Sequence, residues 1–140
     1  MTFQEKQAKL VERVNGLGDC FNQYAYLISQ AAELSPMPKH LHTEEHLVKG
    51  CQSQVWIHVS LKPDGTLFLQ ADSDTLIMKG ILELFANLME GSTPEDIMND
   101  PWDFLEKTEL TVTFPSSRRV GIESIVQRIK TEAAGLSLES

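Results

Sequence analysis

The chain is poor in cysteine and in positive charge, and it has no long apolar run. Two cysteines in 140 residues, Cys20 and Cys51, are too few for a disulfide framework. Twelve Lys and Arg against 20 Asp and Glu give a net charge of −8, which excludes a basic surface for nucleic acid. No apolar run approaches the ~18 residues of a membrane span, and Met1–Lys9 lacks the apolar stretch of a signal peptide. We therefore expect a cytoplasmic protein with reduced thiols that binds neither nucleic acid nor membrane.

Length and a hydrophobic content of 41% fit a single domain spanning residues 1–140. The capping-box pattern of Thr2–Glu5 precedes apolar residues at helical spacing, which predicts a first amphipathic helix to about Asn15. Asp19 is a suitable cap for a second helix, which Ser35–Pro38 ends. The apolar stripe predicted for this second helix comprises Phe21, Tyr24, Leu27, Ile28, Ala31 and Leu34.

The spacing of apolar residues changes to a period of two at Val55. Val55–Leu61 and Leu67–Ala71 both alternate, and Lys62–Gly65 between them contains the Pro and Gly of a tight turn, so the segment predicts a β-hairpin. A third strand is predicted over Leu110–Phe114, where apolar residues alternate with threonine.

Two long helices are predicted after the hairpin. Asp72–Asp74 offers capping oxygens to a central core helix that Gly91 ends. A last helix is predicted from the serines at Ser116–Ser117 to about Gly135.

Two short helices are predicted between these long ones. Thr93–Pro94 and Asp100–Pro101 each combine a capping residue with Pro at the first helical position. The predicted fold class is therefore α+β, with a small three-stranded antiparallel sheet packed against several helices.

Gly50–Gln54 is the segment most suggestive of chemistry. It places the thiol of Cys51 at a loop-to-strand junction, between a glycine and three polar residues. Loops commonly carry reactive groups. The alternative is that Cys51 is a small buried apolar residue, which is the common fate of a free cysteine. The residue pattern alone leaves both interpretations open.

The string Gly50–Trp56 resembles the signature of the SufE family of sulfur acceptor proteins, and the likeness extends over about Leu10–Ala134. The resemblance implies an α+β fold in which one reactive cysteine takes sulfur from a cysteine desulfurase and delivers it toward iron-sulfur cluster assembly. Cys51 occupies the position of that cysteine. The other matching segments are Tyr24–Ile28, Ala71–Asp74, Lys79–Gly80, Thr93–Pro94, Arg118 and Gly121.

The resemblance also implies partners and cofactors. The desulfurase, of the SufS or CsdA type, carries the pyridoxal phosphate (PLP), so this chain is expected to hold no cofactor and no metal. It is expected to be an accessory protein that stimulates the desulfurase, and not an enzyme with its own substrate. A downstream iron-sulfur scaffold is the second expected partner. Either a monomer or a homodimer is compatible with the sequence.

Sulfur transfer places demands on the residues around the thiol, because only the thiolate attacks a persulfide. We expect Cys51 to be partly sheltered in the free protein and to swing outward on docking, with Gly50 as the hinge. Arg118 is expected to favour the thiolate or persulfide anion, or else to make an ion pair or helix-start contact. Asp74 is expected to cap a helix or to contact the desulfurase. The predicted supporting residues are Gly50, Gln52, Ser53, Gln54, Asp74 and Arg118.

The chain departs from the family pattern at three positions. Cys20 stands where the family usually has Trp, and His46 stands where Asn is common, so neither inherits a family role. Val120 replaces an amide residue beside Arg118. Cys20 is expected to be a helix-packing residue, although a resolving pair with Cys51 stays open until a distance is known.

Three rival functions stay open from the residues. His40, His42 and His46 precede the thiol in one loop, and imidazole with thiolate is a zinc-like ligand set. A cysteine hydrolase would use Cys51 with His46 or His58 as its base, and it would need an oxyanion hole. A non-catalytic adaptor would activate the desulfurase by binding alone.

Overall fold

The computed structural model describes residues 1–139. The first helix, α1, spans Phe3–Asn15, and the second, α2, spans Cys20–Ala31. α1 begins at the predicted capping box, in which the hydroxyl of Thr2 accepts from the Glu5 N–H and the Glu5 carboxylate accepts from the Thr2 N–H. The predicted start and end of α1 are therefore confirmed.

α2 begins as predicted and buries Leu27 and Ala31 of the predicted stripe, but it does not bury Phe21. The Asp19 carboxylate accepts hydrogen bonds from N–H groups of the first turn. Leu27 is fully buried as expected, whereas Phe21 is 77% exposed. Gln23 is buried in its place, because its side-chain carbonyl accepts from the Glu109 N–H at 2.7 Å. A polar side chain thus joins α2 to a distant turn, which apolar periodicity does not predict.

The predicted hairpin is confirmed. β1 (Val55–Leu61) pairs antiparallel with β2 (Leu67–Ser73) in continuous register. Gly65 has a φ of +85° in the connecting turn, a conformation that favours glycine. Over residues 1–139 this two-stranded hairpin is the whole sheet.

The third strand predicted over Leu110–Phe114 is wrong. The segment forms consecutive turns, one of them closed by the Val112 N–H donating to the Glu109 carbonyl at 3.3 Å. The apolar residues at both ends of the segment are buried, while Val112 is exposed. Apolar residues four positions apart therefore face the core because a turn brings them together, without a neighbouring strand.

The third helix, α3 (Leu76–Met89), is the predicted core helix and packs against α2 and β2. The capping predicted for Asp72–Asp74 is wrong, because the hydroxyl of Thr75 accepts the hydrogen bond from the first turn. α3 and α2 approach so closely that a Cβ on Gly80 would lie 2.2 Å from the carbonyl oxygen of Leu27. Only glycine fits at this crossing.

One of the two predicted short helices is present. The fourth helix, α4 (Pro94–Met98), begins with proline as expected. The second, expected at Asp100–Pro101, is wrong, because Trp102 adopts a φ of +54° that interrupts a right-handed helix. The indole N–H of Trp102 donates to the Ile97 carbonyl at 2.9 Å, and a short 3₁₀ turn follows at Phe104–Lys107.

The last helix, α5 (Ser116–Glu139), packs against β1 and α4. It continues past Gly135, its predicted end, because one glycine inside a helix costs only ~1 kcal/mol relative to alanine. None of the helices in residues 1–139 combines the length and the apolar character required to cross a bilayer. The largest fully buried side chains of the core include Phe85, Phe104, Leu27, Ile57 and Ile81.

Two side chains of α5 hold this helix against β1. The Glu132 carboxylate accepts from the Val59 N–H at 3.0 Å and from Arg128 Nε at 2.7 Å. Arg128 also donates to the carbonyls of Leu47 and Glu45, at 3.2 and 2.9 Å. α5 is therefore fixed both to the outer edge of β1 and to the segment that precedes it.

Candidate functional site

Cys51 lies in a short loop, residues 49–54, whose two ends are held together. The Val48 N–H donates to the Val55 carbonyl at 2.7 Å and closes the neck of the loop. Because this bond and the hairpin register lie outside the loop, residues 49–53 can change position while β1 stays paired. We call these residues the Cys51 loop.

The Cys51 loop rests directly on α5. The Cys51 thiol donates to the Gly121 carbonyl at 3.2 Å, and a Cβ on Gly121 would lie 3.3 Å from Cys51 Sγ. Gly50 has a φ of +91°, and a Cβ there would lie 2.8 Å from Ser124 Oγ. Two glycines, one on each side of the contact, thus allow the loop and the helix to touch.

Burial raises the pKa of the Cys51 thiol above its ordinary value. The side chain is half-buried, and its S–H group is the donor to the Gly121 carbonyl. Since only the thiolate attacks a disulfide or persulfide sulfur, the free protein holds Cys51 mainly in its unreactive form at neutral pH. This agrees with the expectation that the thiol is partly sheltered.

A small cavity of about 20 Å³ adjoins the thiol, enough for one water-sized group. Arg118 lines this cavity, and its guanidinium lies 5.4 Å from the centre of the Phe114 ring, a cation–π contact in place of the ion pair considered above. Burial is the cause of the raised pKa of Cys51, so the effect of the Arg118 charge on the anion stays a prediction. The cavity is lined by Cys51, Gln52, Ser53, Met78, Ser117, Arg118 and Gly121.

Asp74 anchors the far end of the Cys51 loop. The Gln54 N–H donates to the Asp74 carboxylate at 3.0 Å, and the Asp74 N–H donates to the Gln54 carbonyl at 3.2 Å. The Ser73 hydroxyl donates to the same carbonyl at 2.8 Å. Hairpin pairing therefore extends one residue beyond β2, which occupies Asp74 and leaves Thr75 to cap α3.

The remaining loop side chains reach both neighbouring helices. The Ser117 hydroxyl donates to the Gln52 side chain at 3.3 Å, and the Thr75 hydroxyl donates to Ser53 Oγ at 3.5 Å. The loop thus bridges the N-terminal ends of α5 and α3. The predicted residues that lie in this loop, contact it or line its cavity are Gly50, Gln52, Ser53, Gln54, Asp74 and Arg118.

Sequence reasoning missed the residues that receive the loop. Ser117 and Thr75 give no signal, because hydroxyl residues at helix starts have an ordinary capping explanation. Ser124 lies inside α5 and gives no signal either. Gly121 does carry a signal: a glycine inside an apolar helical pattern costs ~1 kcal/mol, which indicates that something approaches the backbone closely.

The histidines considered above make contacts of their own. His42 stacks on Trp56 with ring centres 3.6 Å apart, and its Nε2 lies 3.2 Å from the Asp72 carboxylate. His46 meets His58 edge-to-face, with ring centres 4.9 Å apart. Trp56 is buried, and this histidine ring covers it.

The rival chemical functions find no support in this geometry. Within residues 1–139, no group of three His, Cys, Asp or Glu side chains is arranged to hold a metal ion. The described residues that line the Cys51 cavity include no histidine or carboxylate to serve as the base of a hydrolase. Cys20, the first residue of α2, does not line the cavity either.

Two large apolar side chains are exposed next to the site. Leu76 is 60% exposed and follows Thr75, and Val120 is 54% exposed and precedes Gly121. Exposed apolar residues on both of the helices that the Cys51 loop contacts favour a protein-binding face.

The chain matches the model of the SufE family, the Fe-S metabolism associated domain, over residues 8–133. It therefore belongs to that family, which associates it with iron-sulfur metabolism and confirms the resemblance of the sequence. A solution structure of a hypothetical protein from Thermus thermophilus has a similar fold, with a TM-score of 0.80 and 22% identity. The match covers 96% of this chain and 97% of that chain.

Proposed function

We propose that this protein accepts sulfur on Cys51 from a PLP-dependent cysteine desulfurase and passes it on for iron-sulfur cluster assembly. The observation that carries the proposal is the Cys51 loop: a thiol on a loop closed at its neck and rested on α5 by two glycines. Membership of the SufE family supports a role for that thiol in iron-sulfur metabolism.

The transfer is a thiol exchange that needs no oxidant or reductant. The Cys51 thiolate attacks the outer sulfur of the desulfurase persulfide and forms a new S–S bond, while the old S–S bond breaks. The desulfurase cysteine leaves as a thiolate, and the proton released from Cys51 goes to solvent or to that leaving group. Delivery repeats the exchange, with a downstream thiol as the nucleophile.

Docking must expose and ionise the thiol. In the free protein, the Cys51 S–H donates to Gly121 and its pKa is raised by burial, both of which oppose attack. Contact of the desulfurase with Leu76 and Val120 would bring it to both sides of the loop. Rotation about Gly50 then moves the thiol away from α5 and into the partner's active site.

The same contacts protect the loaded protein. The cavity beside Cys51 has room for about one additional small atom. A persulfide folded back into this space is shielded from free thiols until an acceptor docks. The protected state and the reactive state thus differ by the position of one loop.

The proposed mechanism assigns different roles to the desulfurase and to this protein. The desulfurase supplies PLP and breaks the carbon–sulfur bond of cysteine, and this protein binds no PLP and turns over no substrate of its own. We place the exchange in the cytoplasm, with an iron-sulfur scaffold as the downstream acceptor.

The decisive experiment is intact-mass measurement after incubation with a PLP-dependent cysteine desulfurase and free cysteine. We expect a gain of one sulfur, about 32 Da, that dithiothreitol reverses. Cys51→Ser should abolish the gain, and the matched variant Cys20→Ser should keep it. A gain that survives in Cys51→Ser would contradict the proposal.

The same variants test the adaptor alternative. Cys51→Ser should no longer stimulate sulfide release by the desulfurase, although it should still bind that enzyme. Stimulation equal to that of the parent protein would show that binding alone activates the desulfurase, and sulfur transfer through Cys51 would then be wrong.

A further inference from the structure

The outer edge of β2 is set by the alternation of the hairpin. The hydrogen bonds at the two ends of the hairpin join Lys62 to Thr66 and Asp74 to Gln54, all even-numbered residues. In an antiparallel pair, hydrogen-bonded positions recur at every second residue. The odd-numbered residues of β2 therefore point their N–H and carbonyl groups away from β1.

This edge is open in its middle. The Leu67 N–H donates to the Ser92 carbonyl at 2.8 Å, but the N–H groups of Leu69 and Ala71 meet no acceptor among residues 1–139. The outer edge of β1, in contrast, is covered by Glu132 and by the segment before the Cys51 loop. An open strand edge is a template for pairing with another chain.

A groove of about 280 Å³ runs between this edge and α3, and the loop around Pro36 forms part of its wall. Glu83 lines the groove, although it is only 9% exposed, and its carboxylate has no hydrogen-bond or ion-pair partner within residues 1–139. Burial, and then the nearby charge of Glu33, raise the pKa of Glu83. The Glu83 carboxylate reaches the groove but is partly desolvated and has no cation beside it in the described part of the chain, and pairing with a cation would offset that cost.

The second acid of the groove is already neutralised. Glu90 is largely exposed and makes an ion pair with Lys62. Glu83 is therefore the group in the groove that a ligand cation would satisfy. The volume lies near the lower end of the ~300–1,000 Å³ typical of ligand sites, and it suits a long side chain better than a cofactor.

We propose that this groove binds an extended segment of a partner protein, which pairs with β2 as a third strand and places a Lys or Arg side chain against Glu83. The backbone carbonyls of the segment accept hydrogen bonds from the N–H groups of Leu69 and Ala71, as in other cases of strand addition. The net charge of −8 favours such a basic segment.

Strand geometry predicts the pattern of that segment. Its side chains alternate between the two faces of the sheet, so every second one faces α3 and Glu83. The others share the face of Phe68, which is 43% exposed in mid-strand. The matching sequence therefore alternates basic and apolar residues.

This surface is independent of the proposed sulfur transfer. The groove and the Cys51 cavity share no lining residue, and the cavity is lined by no residue of β2. Cys51→Ser should therefore leave binding at the groove unchanged, so that failure of one proposal does not decide the other.

The probe is an acetylated, amidated peptide of ~7 alternating valine and lysine residues, a common strand length. In ¹⁵N-resolved NMR spectra we expect it to shift the Leu69 and Ala71 amide signals and to slow their hydrogen exchange, with a Kd of ~1 mM or below. Glu83→Gln should weaken binding at least ~tenfold, and Glu90→Gln, which removes the same charge from the same groove, should weaken it less than ~threefold.

Three outcomes would overturn the proposal. The first is the absence of shifts at these amides at several-millimolar peptide, and the second is binding by Glu83→Gln equal to that of the parent. The third is equal binding of a peptide with glutamate in place of lysine. Shifts at Leu69 and Ala71 that depend on protein concentration without peptide would assign the edge to a second copy of this chain instead.

Discussion

Two helices of this protein each contain a glycine at the point where another segment crosses them. At Gly80 in α3, a Cβ would lie 2.2 Å from the backbone oxygen of Leu27 in the packed helix α2. At Gly121 in α5, a Cβ would lie 3.3 Å from the side chain of Cys51. A backbone inside the core cannot yield, whereas a side chain on a loop can. The same residue type therefore marks a fixed contact in the core and an adjustable contact at the candidate site.

The largest effect is expected at the fixed contact. Gly80→Ala should lower the free energy of unfolding by ~3 kcal/mol, since overpacking outweighs the ~1 kcal/mol that alanine gains in a helix. Urea unfolding measures this. Gly135→Ala is the matched control, because nothing lies within 4 Å of a Cβ there, and it should stabilise by ~0.5–1 kcal/mol. Equal stability of Gly80→Ala and the parent would remove the contrast between the two helices.

Gly50→Ala tests the loop side of the adjustable contact. Its φ of +91° strains any other residue, and the new Cβ would meet Ser124 Oγ at 2.8 Å, so we expect a loss of ~1–3 kcal/mol by urea unfolding. Gly65→Ala shares the positive φ, +85°, but has nothing within 4 Å. A loss no larger than in this control would mean that the contact with Ser124 contributes nothing.

Glu83→Gln tests a buried polar side chain on α3, the helix that contains the fixed contact at Gly80. Burial raises the pKa of Glu83, so the folded state binds its proton more tightly than the unfolded state, and stability falls as pH rises through that range. Glu83→Gln should therefore raise Tm by ~2–4 °C at pH 8. At pH 4, where the Glu83 carboxyl is protonated in the folded state, Tm should be unchanged. Glu33→Gln, which removes the smaller cause, should give a smaller gain, and a gain that persists at pH 4 would refute the assignment.

Gly121→Ala should have the smallest effect on stability, but it should raise the reactivity of the Cys51 thiol. We expect the free energy of unfolding to stay within ~0.5 kcal/mol, because helix propensity offsets the displaced loop. Iodoacetamide should alkylate Cys51 about threefold faster at pH 7, since a less buried thiol has a lower pKa. The measurement uses a Cys20→Ser background, and its pH profile should move to lower pH. An unchanged rate would show that the loop does not yield.

Much of the fold was predictable because its signals are local. The capping box at Thr2, the cap at Asp19 and the turn at Gly65 depend on a few neighbouring atoms, and all three are present. The strand expected at Leu110–Phe114 failed because alternation does not distinguish a strand from consecutive turns that bury both ends. The cap at Thr75 was missed because pairing between Gln54 and Asp74 is a long-range event.

The sequence predicted which cysteine and which loop form the site, but not the contacts that surround them. The string around Cys51 identified the thiol and most of its loop, since these residues are contiguous. The receiving surface on α5 lies about 70 residues away in sequence, at Gly121 and Ser124, so its contacts follow only from tertiary packing. The shelter of the thiol was expected from the family resemblance, but its cause, the contact with α5, was visible only in three dimensions.

The hydrogen bonds of Glu132 and Arg128 to β1 and to the segment before the Cys51 loop determine which part of the molecule can move. Along a rigid rod with a rise of 1.5 Å per residue, Gly121 and Glu132 are ~16 Å apart. Any tilt that withdrew α5 from Cys51 would also pull Glu132 off the Val59 N–H and Arg128 off two carbonyls. α5 therefore acts as a stationary platform, and any displacement that exposes Cys51 falls on the short chain segment lying upon it.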